Sequence, residues 1–292
     1  MDFLSAELAA LAAEAGDLAE LSVCGHTGAG RSIPCLTIGR KGPRLALVGL
    51  MHAGESGPEL IVPLLRRLVG ERRALFDAVQ VVALPSVNLD GRELQARGTP
   101  WYIRQTPAGV DLNRNFPADW EMVSHGYGQH TDDPASITWR GAEAGGAPEV
   151  KAVMAALTQY PPDITLSYHA LASVASLPAY NPEGAASDQS YQARCREVIR
   201  VFGSGLFPGQ PYHERWTYPG SSASGSLGMW LYKRYGTPAF DLEMLPPIVE
   251  WDEIFRARRD QTDRPMLASY QSRHTDAVGA LLVAMSGGLL SH

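Results

Sequence analysis

Three stretches of the sequence place side chains able to bind a metal or move a proton directly after short apolar runs. His52 and Glu55 follow the run at 45–50, His169 follows the run at 164–168, and Glu243 follows the run at 239–242. Two imidazoles and a carboxylate are the donors that zinc accepts, and a catalytic zinc site needs three protein ligands plus an exchangeable water. His52, Glu55 and His169 supply that set. Water on zinc has a pKa of about 7, so a carboxylate beside it can take its proton and pass it to a leaving amine. Glu243 is the candidate for that role. Read singly, each piece has an ordinary explanation: His-x-x-Glu is common by chance, His169 could be a hydrogen-bonded core histidine, and Glu243 could be a salt-bridged strand end. Their joint appearance after separate apolar runs is what points to a site.

A second polar run lies between strand-like segments, Gly109-Val110-Asp111-Leu112-Asn113-Arg114-Asn115-Phe116-Pro117, shortly after Arg104. Arg114 can grip a carboxylate through two parallel charge-assisted hydrogen bonds, and Asn113 can add a neutral donor. Arg104 is close enough in sequence to reach the same pocket and oppose charge developing on an oxyanion.

The elements that must position these groups follow from periodicity. Residues 45–50, 79–84, 164–168 and 239–242 are short apolar runs of the kind found in buried strands. Between them, 60–69, 150–157, 198–206 and 227–235 carry apolar residues at three- and four-residue steps. The alternation predicts an α/β fold with a mixed, largely parallel central sheet and helices on both faces. In such folds ligands bind beyond the carboxyl ends of the strands, where the candidate residues fall. Gly and Pro punctuate the whole chain, so one domain over 1–292 is expected. The stretch 118–147 fits neither period and reads as a rim over a site. Its His125, His130, Asp132 and Asp133 are a weaker metal set, because a flexible loop seldom holds ligands without support.

Composition excludes several classes. With 25 basic and 31 acidic side chains in 292 residues the formal charge is −6, which gives no general attraction for nucleic acid or an anionic membrane. Cys24, Cys35 and Cys195 are too few for a disulfide scaffold, and reduced thiols are expected. Asp2, Glu7 and Glu14 break the pattern of a secretory leader, while Leu4, Leu8, Leu11 and Leu18 recur at helical spacing. The apolar run near 278–285 is too short to span a bilayer. These features predict a cytoplasmic protein; the oligomeric state is not legible in them.

The run Gly-Val-Asp-Leu-Asn-Arg-Asn-Phe-Pro, with His-x-x-Glu upstream and a distant His and Glu downstream, resembles the M14 family of zinc metallocarboxypeptidases. Gly30–Ile33 resembles the family's early hairpin, Asn88-Leu89-Asp90-Gly91 its Asn-Pro-Asp-Gly segment, and Gly225-Ser226-Leu227-Gly228 the approach to its catalytic strand. The resemblance spans roughly residues 20–245. It implies a zinc carboxypeptidase-like α/β/α sandwich holding one zinc per chain on His52, Glu55 and His169, with Glu243 as general base. It further implies that Asn113 and Arg114 anchor the substrate's terminal carboxylate and that Arg104 polarises the scissile carbonyl. Tyr218 would be the mobile active-site tyrosine, and Leu227 would lie near the floor of the side-chain pocket. Gly54 stands where digestive members carry an arginine, and Leu171 where they carry a tyrosine. Compact bacterial members share both differences, murein-peptide amidases among them, so a peptide or murein-peptide substrate is expected. The alternative is an N-acyl amino acid deacylase of the succinylglutamate desuccinylase and aspartoacylase type, which shares an Asp-Leu-Asn-Arg run.

Overall fold

The structure is a computed structural model and describes residues 3–55, 57–96, 104–122, 131–169, 174–176, 188–206, 208, 224–243 and 264–289. The chain opens with helix α1 (Phe3–Ala15), whose Leu8 and Leu11 are buried, and runs into a hairpin of β1 (Ala19–His26) and β2 (Ser32–Ile38). Next come β3 (Arg44–Gly49), α2 (Pro58–Glu71), β4 (Gln80–Leu84), α3 (Leu89–Ala96) and α4 (Pro148–Gln159). β5 (Ile164–Tyr168), β6 (Val174–Ser176), α5 (Gln189–Leu206), α6 (Leu227–Tyr235), β7 (Ala239–Glu243) and α7 (Arg264–Ser286) complete it.

The seven strands form one sheet in the order β1-β2-β4-β3-β5-β7-β6. The four central strands are parallel, and antiparallel pairing is confined to β1 with β2, β2 with β4, and β6 with β7. Leu45 to Gly49 on β3 and every residue of β5 are buried. Successive strand side chains point to opposite faces, so burial at every position requires cover on both. The sheet is therefore mixed, with its parallel character at the centre where the longest apolar runs lie.

Register decides where the chemistry goes. Gly49 pairs with Tyr168 and Tyr168 pairs with Leu242, so the carboxyl ends of β3, β5 and β7 are level. His52, Glu55 and His169, which follow β3 and β5, therefore fall at the edge where β7 ends. Strand β3 stops one residue short of the sequence expectation because Leu50 adopts φ 54°, a left-handed conformation that cannot continue a strand. Asn88 secures that bend: its N–H donates to the Leu50 carbonyl at 2.9 Å.

The helices bury the predicted stripes. In α2 these are Leu60, Ile61, Leu64, Leu65 and Leu68. Pro63 lies inside α2 and has no N–H to give the carbonyl of Glu59, four residues back. Gln271 of α7 fills that vacancy by donating from Nε2 to the Glu59 carbonyl at 2.8 Å. Helix α5 starts nine residues before the predicted 198, since Tyr191 and Cys195 extend its buried face toward the N-terminus. In α6, Ser226 caps the first turn by accepting from the Met229 N–H, and Gly236 ends it at φ 66°. Cys24 and Cys35 lie on the adjacent strands β1 and β2 as free thiols, pushed up by burial to about 11 and about 12. Among the described residues no helix is long and apolar enough to cross a membrane.

Candidate metal centre

His52 and Glu55 sit on the turn after β3, and His169 directly follows β5. All three are buried, at 2%, 6% and 1% exposure. Glu55 Oε2 lies 2.8 Å from His52 Nδ1 and 2.8 Å from His169 Nδ1, and the two nitrogens are 3.2 Å apart. Among the described residues this is the one group of histidine, cysteine and carboxylate side chains able to surround a metal ion. Ligands about 2.0–2.1 Å from a tetrahedral zinc are separated by about 3.3 Å, close to these spacings.

The outward-facing nitrogens sharpen the point. His52 Nε2 lies 3.0 Å from Asp111 Oδ1, and His169 Nε2 lies 3.2 Å from Asp241 Oδ1 and 3.1 Å from Ser167 Oγ. Both ring nitrogens of each histidine thus face a carboxylate oxygen. A neutral imidazole has one N–H, so one of its two contacts would set lone pair against lone pair. Two imidazolium rings would instead press N–H against N–H across the 3.2 Å gap. A cation held by these three side chains would remove the conflict and leave both Nε2–H groups donating to Asp111 and Asp241. That is the usual arrangement behind metal-bound histidines. The residues present fit a zinc ion.

The charges reinforce one another. Burial pushes the Glu55 carboxyl up, but His52 and His169 outweigh burial and hold it well below the usual carboxylate range. Burial lowers His169, yet Asp241 and Glu55 raise it well above an ordinary imidazole. Asp111, also raised by burial, is brought below its ordinary range by Arg104 and His52.

The Asp111–Arg114 turn joins these parts. Asp111 Oδ1 accepts from the Asn113 N–H at 3.0 Å, and its Oδ2 accepts from Arg104 Nε at 2.7 Å. Arg104 thus stands one carboxylate away from His52. Asn113 donates from Nδ2 to Asp241 Oδ2 at 3.2 Å and accepts from the Leu227 N–H at 3.0 Å, so its amide braces β7 against the start of α6. Arg114 is buried, at 5% exposure, and its Nη1 donates to the Asn113 carbonyl at 2.8 Å. Gly225 packs on it from behind at φ 71°, where a Cβ would stand 2.1 Å from the Arg114 carbonyl oxygen. Leu227 is buried in the first turn of α6, beside Asn113. Asn88 ties the two halves, giving its Nδ2 to the Gln105 carbonyl at 3.1 Å and its backbone N–H to the bend before His52. Asn115 fastens the long stretch after the turn: its Nδ2 donates to the carbonyls of Arg140 and Glu143, and its Oδ1 accepts from the Ala147 N–H.

Glu243 ends β7 in register with Val174, one residue beyond Leu242, whose carbonyl accepts from the His169 N–H at 2.9 Å. Tyr218, His125 and His130 lie outside the described residues. Sequence reasoning did not single out Asp111, Asp241 or Ser167 as partners of the histidines. The available signals were the place of Asp111 two residues before Asn113 and of Asp241 two residues before Glu243.

The zinc carboxypeptidase (Peptidase_M14) family model matches residues 4–248. The chain is 31% identical over 154 residues to carboxypeptidase Z of Rattus norvegicus, covering 47% of this chain and 23% of that protein. It is 28% identical over 216 residues to metallocarboxypeptidase A of Trichophyton tonsurans, covering 64% of this chain and 49% of that one. It thus spans less than half the length of these curated relatives. Bovine thrombin-activatable fibrinolysis inhibitor, solved with a tick carboxypeptidase inhibitor, superposes with a TM-score of 0.73 at 17% identity, covering 97% of this chain and 95% of that one. At that identity the likeness speaks for the fold. With the family model spanning most of its length, this chain belongs to the zinc carboxypeptidase family, peptidase M14.

Proposed function

We propose that the chain is a zinc-dependent hydrolase that cleaves a peptide (amide) bond next to a free carboxylate, with one zinc per chain. The observation that carries the reading is the triangle of His52 Nδ1, Glu55 Oε2 and His169 Nδ1, backed by Asp111 and Asp241. Bound there, zinc supplies a Lewis acid and lowers the pKa of its water to about 7. Glu243, leaving the sheet beside His169, takes the water's proton and returns it to the leaving amine. Arg114 holds the substrate's terminal carboxylate, with Asn113 fixing the turn that carries it. Arg104, charged and anchored by Asp111, opposes the negative charge that grows on the scissile carbonyl oxygen. The resemblance assigns Tyr218 to substrate binding, and Leu227 contributes an apolar floor under the substrate's terminal side chain.

The substrate class is peptides with a free carboxylate, murein peptides among them. The test is a mass-spectrometric screen of short peptides, murein peptides and N-acyl amino acids, with and without a chelator. Chelator-sensitive loss of residues next to a free carboxylate is expected. Cleavage restricted to N-acyl amino acids, or unaffected by metal removal, would overturn the reading.

A further inference from the structure

We infer that Arg92 is a positioning residue for the metal ligand Glu55, acting through its ion pair with Glu59. The inference rests on the zinc-site reading above and concerns residues that reading leaves unused. Arg92 lies on α3, and its Nη2 donates to the Glu55 backbone carbonyl at 2.9 Å and to Glu59 Oε1 at 2.8 Å. Glu59 stands in the first turn of α2, where its Oε2 accepts from the Gly57 N–H at 3.2 Å. The backbone at positions 55 and 57 is therefore held on both sides of residue 56 by one arginine–glutamate pair. Glu59 is itself pinned by Gln271, through the carbonyl that Pro63 leaves unpaired within α2.

This support reaches Glu55 rather than the histidines. Each histidine is oriented by a carboxylate on its second ring nitrogen. The Glu55 side chain, by contrast, points from a turn between a left-handed residue, Leu50, and the start of a helix. Its backbone N–H donates within the turn, to the His52 carbonyl at 3.1 Å. Fixing the Glu55 carbonyl fixes the direction from which its carboxylate reaches the two nitrogens. A purely stabilising role fits poorly, because Arg92 and Glu59 are 20% and 26% exposed, and partly solvated ion pairs contribute little to stability. Partners that orient a ligand instead act on metal affinity.

The test compares wild type, R92A, R92K and E59Q. Zinc dissociation constants are measured by competition with a chromogenic chelator, and site geometry by the visible absorption of the cobalt-substituted protein. R92A is expected to weaken zinc by about 10- to 100-fold and to alter the cobalt spectrum. Its metal-free melting temperature should stay near wild type, and R92K should recover part of the affinity. E59Q, close in size, should weaken zinc in the same direction, and it carries the test should R92A not fold. Wild-type zinc affinity and cobalt spectra in R92A and E59Q would overturn the inference while leaving the zinc-site reading intact. A fall in affinity matched by an equal loss of metal-free stability would overturn it in favour of a structural role. Failure of the wild type to bind zinc would overturn both.

Discussion

Asp111→Asn isolates the contribution of the carboxylate behind His52. Asp111 is fully buried and serves three donors: His52 Nε2 at 3.0 Å and the Asn113 N–H at 3.0 Å on one oxygen, and Arg104 Nε at 2.7 Å on the other. Asparagine keeps the size but offers one oxygen and one NH2. If the oxygen serves His52 and Asn113, the NH2 faces Arg104 donor to donor. If the amide turns over, His52 loses its acceptor and with it the tautomer that presents Nδ1 to the ion. Losing such a partner typically weakens metal binding about 10- to 100-fold, which is about 1.4–2.7 kcal/mol. The metal-free protein should lose a further ~1.5–3 kcal/mol from the broken charged hydrogen bond. Chelator competition reads the first quantity and urea unfolding in chelator the second. The rise in melting temperature on adding zinc should shrink by roughly 2–4 °C, since bound ligand stabilises with the logarithm of its affinity. A variant with wild-type zinc affinity and an undiminished zinc-induced shift would refute the assignment of Asp111 as the orienting group.

Glu243→Gln should keep one zinc per chain, read by metal analysis, while kcat falls by about 10²–10⁴; near-normal turnover would remove Glu243 from the role of base. Arg114→Ala should raise KM for peptides with a free carboxylate by roughly 10- to 150-fold, the value of a hydrogen bond to a charged group, and spare amidated analogues. Equal effects on both substrates would make the arginine structural. Gly225→Ala should destabilise the fold by about 1–3 kcal/mol from its backbone conformation alone. Overlap with the Arg114 carbonyl adds to that cost, and an unchanged urea midpoint would contradict the close approach seen there.

The central strands and the meeting of His52, Glu55 and His169 were legible because their causes are local. An apolar run buried on both faces has no other use for its side chains, and the first polar residues after it are confined to the sheet edge. Thus β5 and α6 coincide with the predicted 164–168 and 227–235. Elements whose stability comes from distant partners left weaker traces. Strand β6 is three residues long and exists through pairing with β7. The first turns of α5 bury Tyr191 and Cys195 against a face that periodicity from 198 onward does not reveal. At the site, Asn113 reads as a donor to ligand, yet its amide spans Asp241 and Leu227, residues 128 and 114 positions away. Asp111 reads as part of a motif, and its bond to His52 becomes visible only when the turn is folded against β3.

The side-chain amide of Asn113 touches the carboxylate behind His169, while its backbone carbonyl accepts from Arg114. In the proposed site, an ion held by the histidines and an anion held by Arg114 would therefore meet through Asn113. Thermodynamic reciprocity then requires that whatever factor the anion lends to the ion's affinity, the ion returns to the anion's.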